Sequence, residues 1–473
     1  MRVLLVYPEI PDTFWSFGHA LRFIRKKASF PPLGLLTVAS LLPESWELRL
    51  VDMNVERLRS RDLEWADYVF VSAMVVQREG TYRLLEHCQS FDVKIVAGGP
   101  LFLTEHEDFP LVDHFVLDEA EVTLPQFLQD LEEGHPKRIY KGDRYPDITE
   151  SPIPMWELAR LEYYSSMCIQ YSRGCPFDCD FCNITAMLGH RPRCKTSHQI
   201  IAELDALYEL GWRGGVFFVD DNFIGNKRKL KSEILPALIE WRKGKRGFSF
   251  QTEASINMAD DSVLMDLMAQ AGFERIFIGI ETPDEEGLAQ CNKRQNEGRD
   301  LVSDVKKLQR AGFEVQGGFI VGFDSDEPSI FQRQIEFIQD SGIVTAMVGL
   351  LQAPPGTQLY ERLKEEGRLL GKMSGQNTDN TMNFVPKMDV KLLHKGYHRI
   401  ISTIYSPEEY YERVRTFLQE YQKNPATQPV RGLQYMLAFF RSVFRLGIKG
   451  KERLEYWKLL LWTLFRRPNL FPE

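Results

Sequence analysis

Ser172-Arg173-Gly174-Cys175-Pro176-Phe177-Asp178-Cys179-Asp180-Phe181-Cys182 places three cysteines in one short loop, directly after an apolar strand-like stretch. The spacing is C-x3-C-x2-C. Iron–sulfur clusters usually take four cysteines. Three thiolates hold three corners of a four-iron cluster and leave the fourth iron open to another ligand. Two other readings compete. A zinc site with His190 as fourth ligand has the right donors, but paired C-x2-C or Cys/His halves are the usual zinc pattern and no second half is present. Disulfides are disfavoured, because seven cysteines in 473 residues without a signal peptide fit a reducing compartment. Cys88, Cys168, Cys194 and Cys291 are scattered and read as structural.

Outward from the loop, the chain has the rhythm of an α/β protein. Strand candidates Met167–Ser172, Gly215–Val219, Phe248–Glu253, Arg275–Ile280, Val315–Val321 and Thr345–Leu351 alternate with amphipathic helices. Thr196 and Gln199 fit a capping box before Ile200–Leu210, and Asp260-Asp261 can cap Ser262–Ala271. Gly211, Gly272, Gly312 and Gly342 stand where helices stop. Six βα units are too few for a closed eightfold barrel and fit an open one. The three cysteines then fall after its first strand, on the C-terminal face where barrel chemistry sits. This unit spans about 166–375.

The first 145 residues hold a separate series: strands at Val3–Tyr7, Glu47–Asp52, Tyr68–Ser72, Lys94–Ala97 and His114–Leu117, with helices near Leu33–Leu42, Arg78–Gln89 and Val122–Glu133. They predict an open five-stranded parallel, doubly wound sheet. Gly98-Gly99-Pro100 follows a strand directly, at the ligand crevice of such a sheet. A proline-rich linker covers 146–165. From 376 to 473 the pattern is helical: Val390–Tyr405, Pro407–Tyr421, Leu433–Leu446 and Lys451–Phe465.

Composition is ordinary globular, 44% hydrophobic and 26% charged, and long enough for two or three domains. A net charge of −8 gives no reason to expect nucleic acid as a partner. The N-terminus opens on a strand pattern instead of a leader, and no apolar run reaches the ~18 residues of a membrane span. The expected location is cytoplasmic. The tail is the exception in charge: Arg431 to Arg467 holds nine Lys/Arg against Glu452 and Glu455, interleaved with Tyr, Phe, Trp and Leu. Basic, aromatic-rich amphipathic helices lie in bilayer interfaces, so peripheral contact with the inner face of a membrane stands beside packing against the barrel or a second subunit.

The barrel strands end in polar groups: Asp220-Asp221-Asn222, Glu253 with Ser255, Glu281-Thr282, and Gly317-Gly318 with Gly322. S-adenosylmethionine (SAM) carries an ammonium, a carboxylate and a ribose diol. Carboxylates and close-approach glycines at equivalent strand ends are its complement.

The cysteine spacing, with an aromatic before the last cysteine, resembles the radical SAM superfamily. The resemblance implies a [4Fe-4S] cluster on Cys175, Cys179 and Cys182, with Phe181 near the adenine. It implies SAM contacts from Asp220, Asp221, Glu253, Ser255, Glu281, Gly318 and Gly322. The first domain is similar to the cobalamin-binding domain of the class B, cobalamin-dependent radical SAM enzymes. Asn54, Ser72, Met74, Gly98, Gly99 and Glu119 are then the cobalamin contacts. Asp-x-His-x-x-Gly, which gives cobalt a histidine in other cobalamin proteins, is absent, and Asn54 stands in the histidine's place. Asp118 replaces a common glycine. Gln170–Pro176, Phe217–Asn226, Gly279–Pro283 and Leu350–Pro354 are most similar to the subgroup holding the hopanoid C-2 methylase.

That resemblance implies an oxygen-sensitive C-methyltransferase acting on an unactivated carbon of a large apolar substrate, a hopanoid or other isoprenoid lipid or a tetrapyrrole. A flavodoxin- or ferredoxin-type donor would supply electrons. A radical cyclase, oxidase or rearrangement enzyme with the same cofactors is the first alternative, and a non-catalytic cobalamin or metal sensor the second. No catalytic His or Glu is nominated.

Overall fold

The structure is a computed structural model that describes residues 1–424 and 433–471. Arg431 of the basic run lies outside the described residues.

Two parallel sheets organise the molecule. The first is built from Arg2–Tyr7, Glu47–Asp52, Tyr68–Ser72, Lys94–Gly98, His114–Val116 and Ile139–Tyr140. Its order is 2-1-3-4-5-6, with every pairing parallel. The sixth strand corrects the expectation of five. It is only two residues long, pairing Phe115 with Ile139 and Val116 with Tyr140, and such a stretch carries no periodicity to read. The doubly wound order puts a switch point between the first and third strands.

The second sheet has six parallel strands in chain order: Ser166–Ile169, Gly215–Phe218, Ser249–Glu253, Phe273–Glu281, Glu314–Val321 and Ala346–Leu350. Its edges do not pair with each other, so the barrel is open. Local signals in the sequence work as stated. Thr196 and Gln199 form a reciprocal capping box, Asp261 accepts from Leu264 N–H, and Gly272 ends its helix with φ +94°. The layer between the sheet and its helices is aromatic: Phe218, Phe223, Phe250 and Phe273 are fully buried and linked by ring contacts, and Trp241 of the helix Leu235–Gly244 packs on Phe250.

The domains share a boundary of apolar and polar contacts. Leu36 and Val55 of the first domain join the barrel's core cluster. The Tyr164 hydroxyl donates to Asp52 Oδ2 at 2.8 Å, and the Phe30 and Phe217 rings lie 5.1 Å apart. The segment after the barrel returns to the first domain. Arg78 donates to the Met373 carbonyl at 2.9 Å, and Gly375 sits so close to Val75–Val76 that a Cβ would come within 2.7 Å of Val76 N.

The C-terminal region holds helices Val390–Ile404, Pro407–Glu420, Leu433–Ser442 and Arg453–Arg466, with a wide π turn at Val443–Ile448 joining the last two. The hairpin closes through Trp457 Nε1–H to the Gly447 carbonyl at 2.9 Å. Arg445 lies over the Phe23 ring, Arg415 over Trp462, and Leu470 is buried with Phe417, Leu418 and Tyr421. Among the described residues no helix is long and apolar enough to cross a membrane.

Candidate active site

The cysteine loop leaves the first barrel strand and is closed at its base by a two-residue antiparallel ribbon. Ser172 pairs with Cys194 and Arg173 with Arg193. Gly174 then turns with φ +94°. A Cβ there would lie 2.8 Å from the Gly189 carbonyl oxygen and 3.0 Å from those of Leu188 and Arg191, so only glycine fits. Cys175 N–H donates to the Gly189 carbonyl at 3.2 Å and Cys182 N–H to that of Cys179 at 3.1 Å.

All three thiols are free and partly buried. Burial pushes each thiol pKa up, Cys182 to about 12; neighbouring cysteines push Cys175 and Cys182 further, and Glu281 and Asp180 push Cys179. Such thiols become thiolates only beside a strong positive centre, and the donor set suits a metal cluster. Among the described residues one trio of metal-type ligands gathers within 4.8 Å, Asp130, Glu133 and His135. His190 is exposed. Cys291 lies beneath the loop, its thiol donating to the Leu288 carbonyl at 3.5 Å.

Around the loop the strand ends form a mouth with an uneven charge. Glu281 has φ +65° and accepts from Lys293 Nζ at 2.6 Å. Burial works against the Lys293 ammonium, but Glu281 and Cys179 hold its pKa above the ordinary value. Lys293 Nζ is 6.0 Å from the Phe181 ring centre, and Gln295 Nε2 is 3.8 Å from Cys179 Sγ. Neither Lys293 nor Gln295 is foreseen from sequence. They follow Glu281 in a polar run, Asn292-Lys293-Arg294-Gln295-Asn296, that has no periodicity.

Asp220 has a different task from the one expected. It is 1% exposed, and its carboxylate accepts from Tyr171 N–H, Ser172 N–H and Ser172 Oγ–H. It braces the start of the cysteine loop. Ser255 is held at Asn222 Oδ1 and donates to Asn257 Oδ1 at 2.8 Å. Gly318 leaves room for Phe277, whose Cζ a Cβ would approach to 2.7 Å, and Gly322, at φ +108°, donates N–H to Asp326 Oδ2 at 2.7 Å. Phe181 meets Phe323 edge-on.

Asp221 and Glu253 are the acids left facing one another. Burial raises Asp221 to about 6 and Glu253 to about 8, the latter also repelled by Asp221 and Asp220. A folded-state pKa above the unfolded one means that stability is full at low pH and falls as pH rises from about 4.5 through about 8. Glu253→Gln is therefore expected to raise the melting temperature of the metal-free protein by several degrees at pH 8.5 and hardly at all at pH 5. Equal effects at both pH values would contradict this.

In the first domain, the turns after strands one to four meet at one end. Asn54 accepts from Ile10 N–H at 2.8 Å and donates to the Pro8 carbonyl and Asp52 Oδ1. Its amide thus ties two turns together, where a histidine could not make all three bonds. Gly99, at φ +92°, abuts Ser72, and a Cβ on Gly98 would lie 2.7 Å from the Val116 carbonyl oxygen. Met74 is 40% exposed, its N–H held by Gln77 Oε1. These turns contain no histidine, so a cobalamin held here would take no cobalt ligand from them. Glu119 is not in this group: it pairs with Arg173 and Arg193 at the base of the cysteine loop.

Residues 24–128 match the B12 binding domain, 169–338 the Radical SAM superfamily and 357–473 a domain of unknown function (DUF4070). An uncharacterized methyltransferase of Synechocystis is 39% identical over 100% of this chain and 89% of its own length. The hopanoid C-2 methylase of Rhodopseudomonas palustris is 35% identical over 98% and 90%. Among solved structures, the cobalamin-dependent radical enzyme OxsB with aqua-cobalamin superposes with TM-score 0.66, at 16% identity, over 98% of this chain and 73% of that one. The methyltransferase TsrM of Kitasatospora setae, with cobalamin and a [4Fe-4S] cluster, gives 0.67 at 14% identity over 97% and 98%. Identity across the full length, together with matches to both the B12 binding domain and the Radical SAM superfamily, shows that the chain belongs to the cobalamin-dependent radical SAM methyltransferases, which use a [4Fe-4S] cluster, SAM and cobalamin.

Proposed function

We propose that this methyltransferase acts on an unactivated carbon of a polycyclic isoprenoid lipid of the hopanoid type. The carrying observation is the extent of the match: the hopanoid C-2 methylase aligns over 98% of the chain. The bacteriochlorophyllide d C-12(1)-methyltransferase of Chlorobaculum tepidum aligns over 71%, at 26% identity. In this reading Cys175, Cys179 and Cys182 hold the cluster. Phe181, Asp221, Glu253, Glu281, Lys293 and the backbone at Gly318 and Gly322 line the SAM site, with Asp220 and Ser255 supporting from behind. Ser72, Met74, Gly98 and Gly99 border the cobalamin, and Asn54 shapes its turn. Bound there, the cofactors supply one-electron chemistry and a transferable methyl group. The chain's own part is to orient them and keep water out through the strap of residues 372–376, which Arg78 and Gly375 tie to the first domain. An electron donor of flavodoxin or ferredoxin type completes the reaction. Incubation with a hopene-type polycycle is expected to give a product heavier by one methylene unit. Methylation of a chlorophyllide and of no polycycle would overturn the substrate class.

The reading includes a membrane-surface location, since the substrate dissolves in lipid. Eleven large apolar side chains between Met436 and Phe465 are exposed, Phe440 by 65%, Leu454 by 69% and Phe465 by 78%. Arg441, Arg445, Lys449, Lys451 and Lys458 lie among them. Such a patch fits an interface bound by apolar insertion and by anionic headgroups, the latter contributing about 1 kcal/mol per basic residue. We expect binding to phosphatidylserine vesicles that weakens with salt and falls at least about tenfold in Phe440→Ser/Phe444→Ser/Phe465→Ser, each buried phenylalanine contributing about 1.5–3 kcal/mol. Unchanged vesicle binding by that variant would refute the location.

A further inference from the structure

We propose that Arg173 and Arg193, with Glu119 and Glu121, form a clamp that fastens the base of the cysteine loop to the first domain and so fixes the separation of the two cofactor sites. The functional half of this statement rests on the cobalamin reading of the first domain; the clamp itself does not.

The two arginines face each other across the ribbon that closes the loop. Like charges directly opposite on paired strands repel, so the ribbon needs an anion between them. Neither strand supplies one. Glu119 reaches in from the first domain, its Oε2 2.6 Å from Arg173 and its Oε1 2.8 Å from Arg193. Glu121 takes the other edge of Arg173, with contacts at 2.8 and 3.1 Å, and accepts from Ser151 Oγ at 2.6 Å. The side chains are 7–19% exposed. In that low dielectric, bidentate pairs hold geometry tightly. Each arginine is also fixed on its own side. Arg173 Nε donates to Gln170 Oε1 at 2.8 Å, and Arg193 donates to the carbonyls of Pro146 and Leu188. Asp118, at φ +60°, aims both glutamates, and its own carboxylate is held by Gly142 N–H at 3.0 Å. Both ends of the loop carrying Cys175, Cys179 and Cys182 are therefore gripped by one turn of the other domain. These four are positioning residues: they touch the loop's frame.

The test uses full-length protein reconstituted with its cluster, comparing wild type with Glu119→Gln/Glu121→Gln by hydrogen exchange and by electron paramagnetic resonance of the reduced, SAM-bound cluster. Expected are amide exchange in 172–194 faster by about tenfold or more, unchanged exchange in the strands 2–7 and 215–218, and a shifted or broadened cluster signal. Arg173→Lys, which keeps the charge and loses the fork, is expected to lie between the two. If the double variant does not purify folded, Glu121→Gln alone is read in the same way. Wild-type exchange and an unaltered signal in the neutralised variant would overturn the clamp. Adding hydroxocobalamin separates the readings. Protection of the turns at 53–56 and 98–102 in wild type reports cobalamin binding, and its spread to 172–194 in wild type but not in the variant reports coupling through the clamp. No protection anywhere defeats the cobalamin reading and the functional half of the proposal, while the exchange difference still decides the clamp.

Discussion

Replacing any one of Cys175, Cys179 or Cys182 with alanine is expected to abolish reductive cleavage of SAM, with 5′-deoxyadenosine falling to the background of unreconstituted protein. Each corner of the cluster depends on one thiolate, and no other cysteine is placed to substitute. Cys88, Cys168 and Cys291 are buried, with pKa values pushed well up by desolvation, and Cys194 is held on the closing ribbon opposite Ser172 with its thiol donating to the Pro192 carbonyl at 3.6 Å. The chain should still fold, because the apolar core of the barrel lies below the loop. The metal-free variants should unfold within about 1 kcal/mol of metal-free wild type, as substitutions outside the core do. Iron and sulfide content after reconstitution, measured beside 5′-deoxyadenosine, checks both halves. A single alanine variant that still makes 5′-deoxyadenosine at the wild-type rate would contradict the assignment.

Glu281→Gln is expected to produce the largest loss of stability among the mouth residues. The Glu281 and Lys293 side chains are 9% and 12% exposed and lie 2.6 Å apart. Removing one partner of a buried pair leaves the other charge without compensation, at a cost of about 3–5 kcal/mol. Replacing both with neutral side chains of similar shape removes that cost, so Glu281→Gln/Lys293→Met should be more stable than Glu281→Gln alone. Urea unfolding of metal-free Glu281→Gln, Lys293→Met and the double variant checks this cycle. Additive losses in the double variant would show that the pair is not coupled. Glu281 also stands at positive φ without being glycine, a strain that persists only where the surroundings impose it. Lys293, Asn296 and the neighbouring strand supply those surroundings, with Asn296 Nδ2 donating to the Gly279 and Ile280 carbonyls at 3.0 Å each.

The parts of the molecule that were legible in the sequence are those set by neighbours in the chain. Strand ends read at Val219, Glu253, Ile280 and Val321 fall within one residue of the observed ends at Phe218, Glu253, Glu281 and Val321, because the apolar runs stop there. The capping box at Thr196 and the stop at Gly272 are local devices with local signatures. Chemistry of the cysteine loop is legible for the same reason: its donors lie within eight residues. What was not legible depends on partners far away. Asp220 reads as a SAM ligand until Tyr171 and Ser172, some fifty residues earlier, are seen to take both its oxygens. Glu119 reads as a cobalamin contact until Arg173 and Arg193 arrive from the other domain. Lys293 carries no signal in the sequence at all, because only the folded barrel brings it beside Glu281 and Cys179. For Asp220 and Glu119 the residue type was informative and its partner was not.

Joint use of both domains in one reaction is tested most directly by product stoichiometry. Protein prepared without oxygen, reconstituted with iron and sulfide, is mixed with SAM, hydroxocobalamin, a strong reductant and a hopene-type substrate, and the two SAM-derived products are followed by mass spectrometry. Equal amounts of 5′-deoxyadenosine and S-adenosylhomocysteine, rising with methylated product, are the predicted result. 5′-Deoxyadenosine without S-adenosylhomocysteine, from protein that retains no cobalamin on gel filtration, would contradict it.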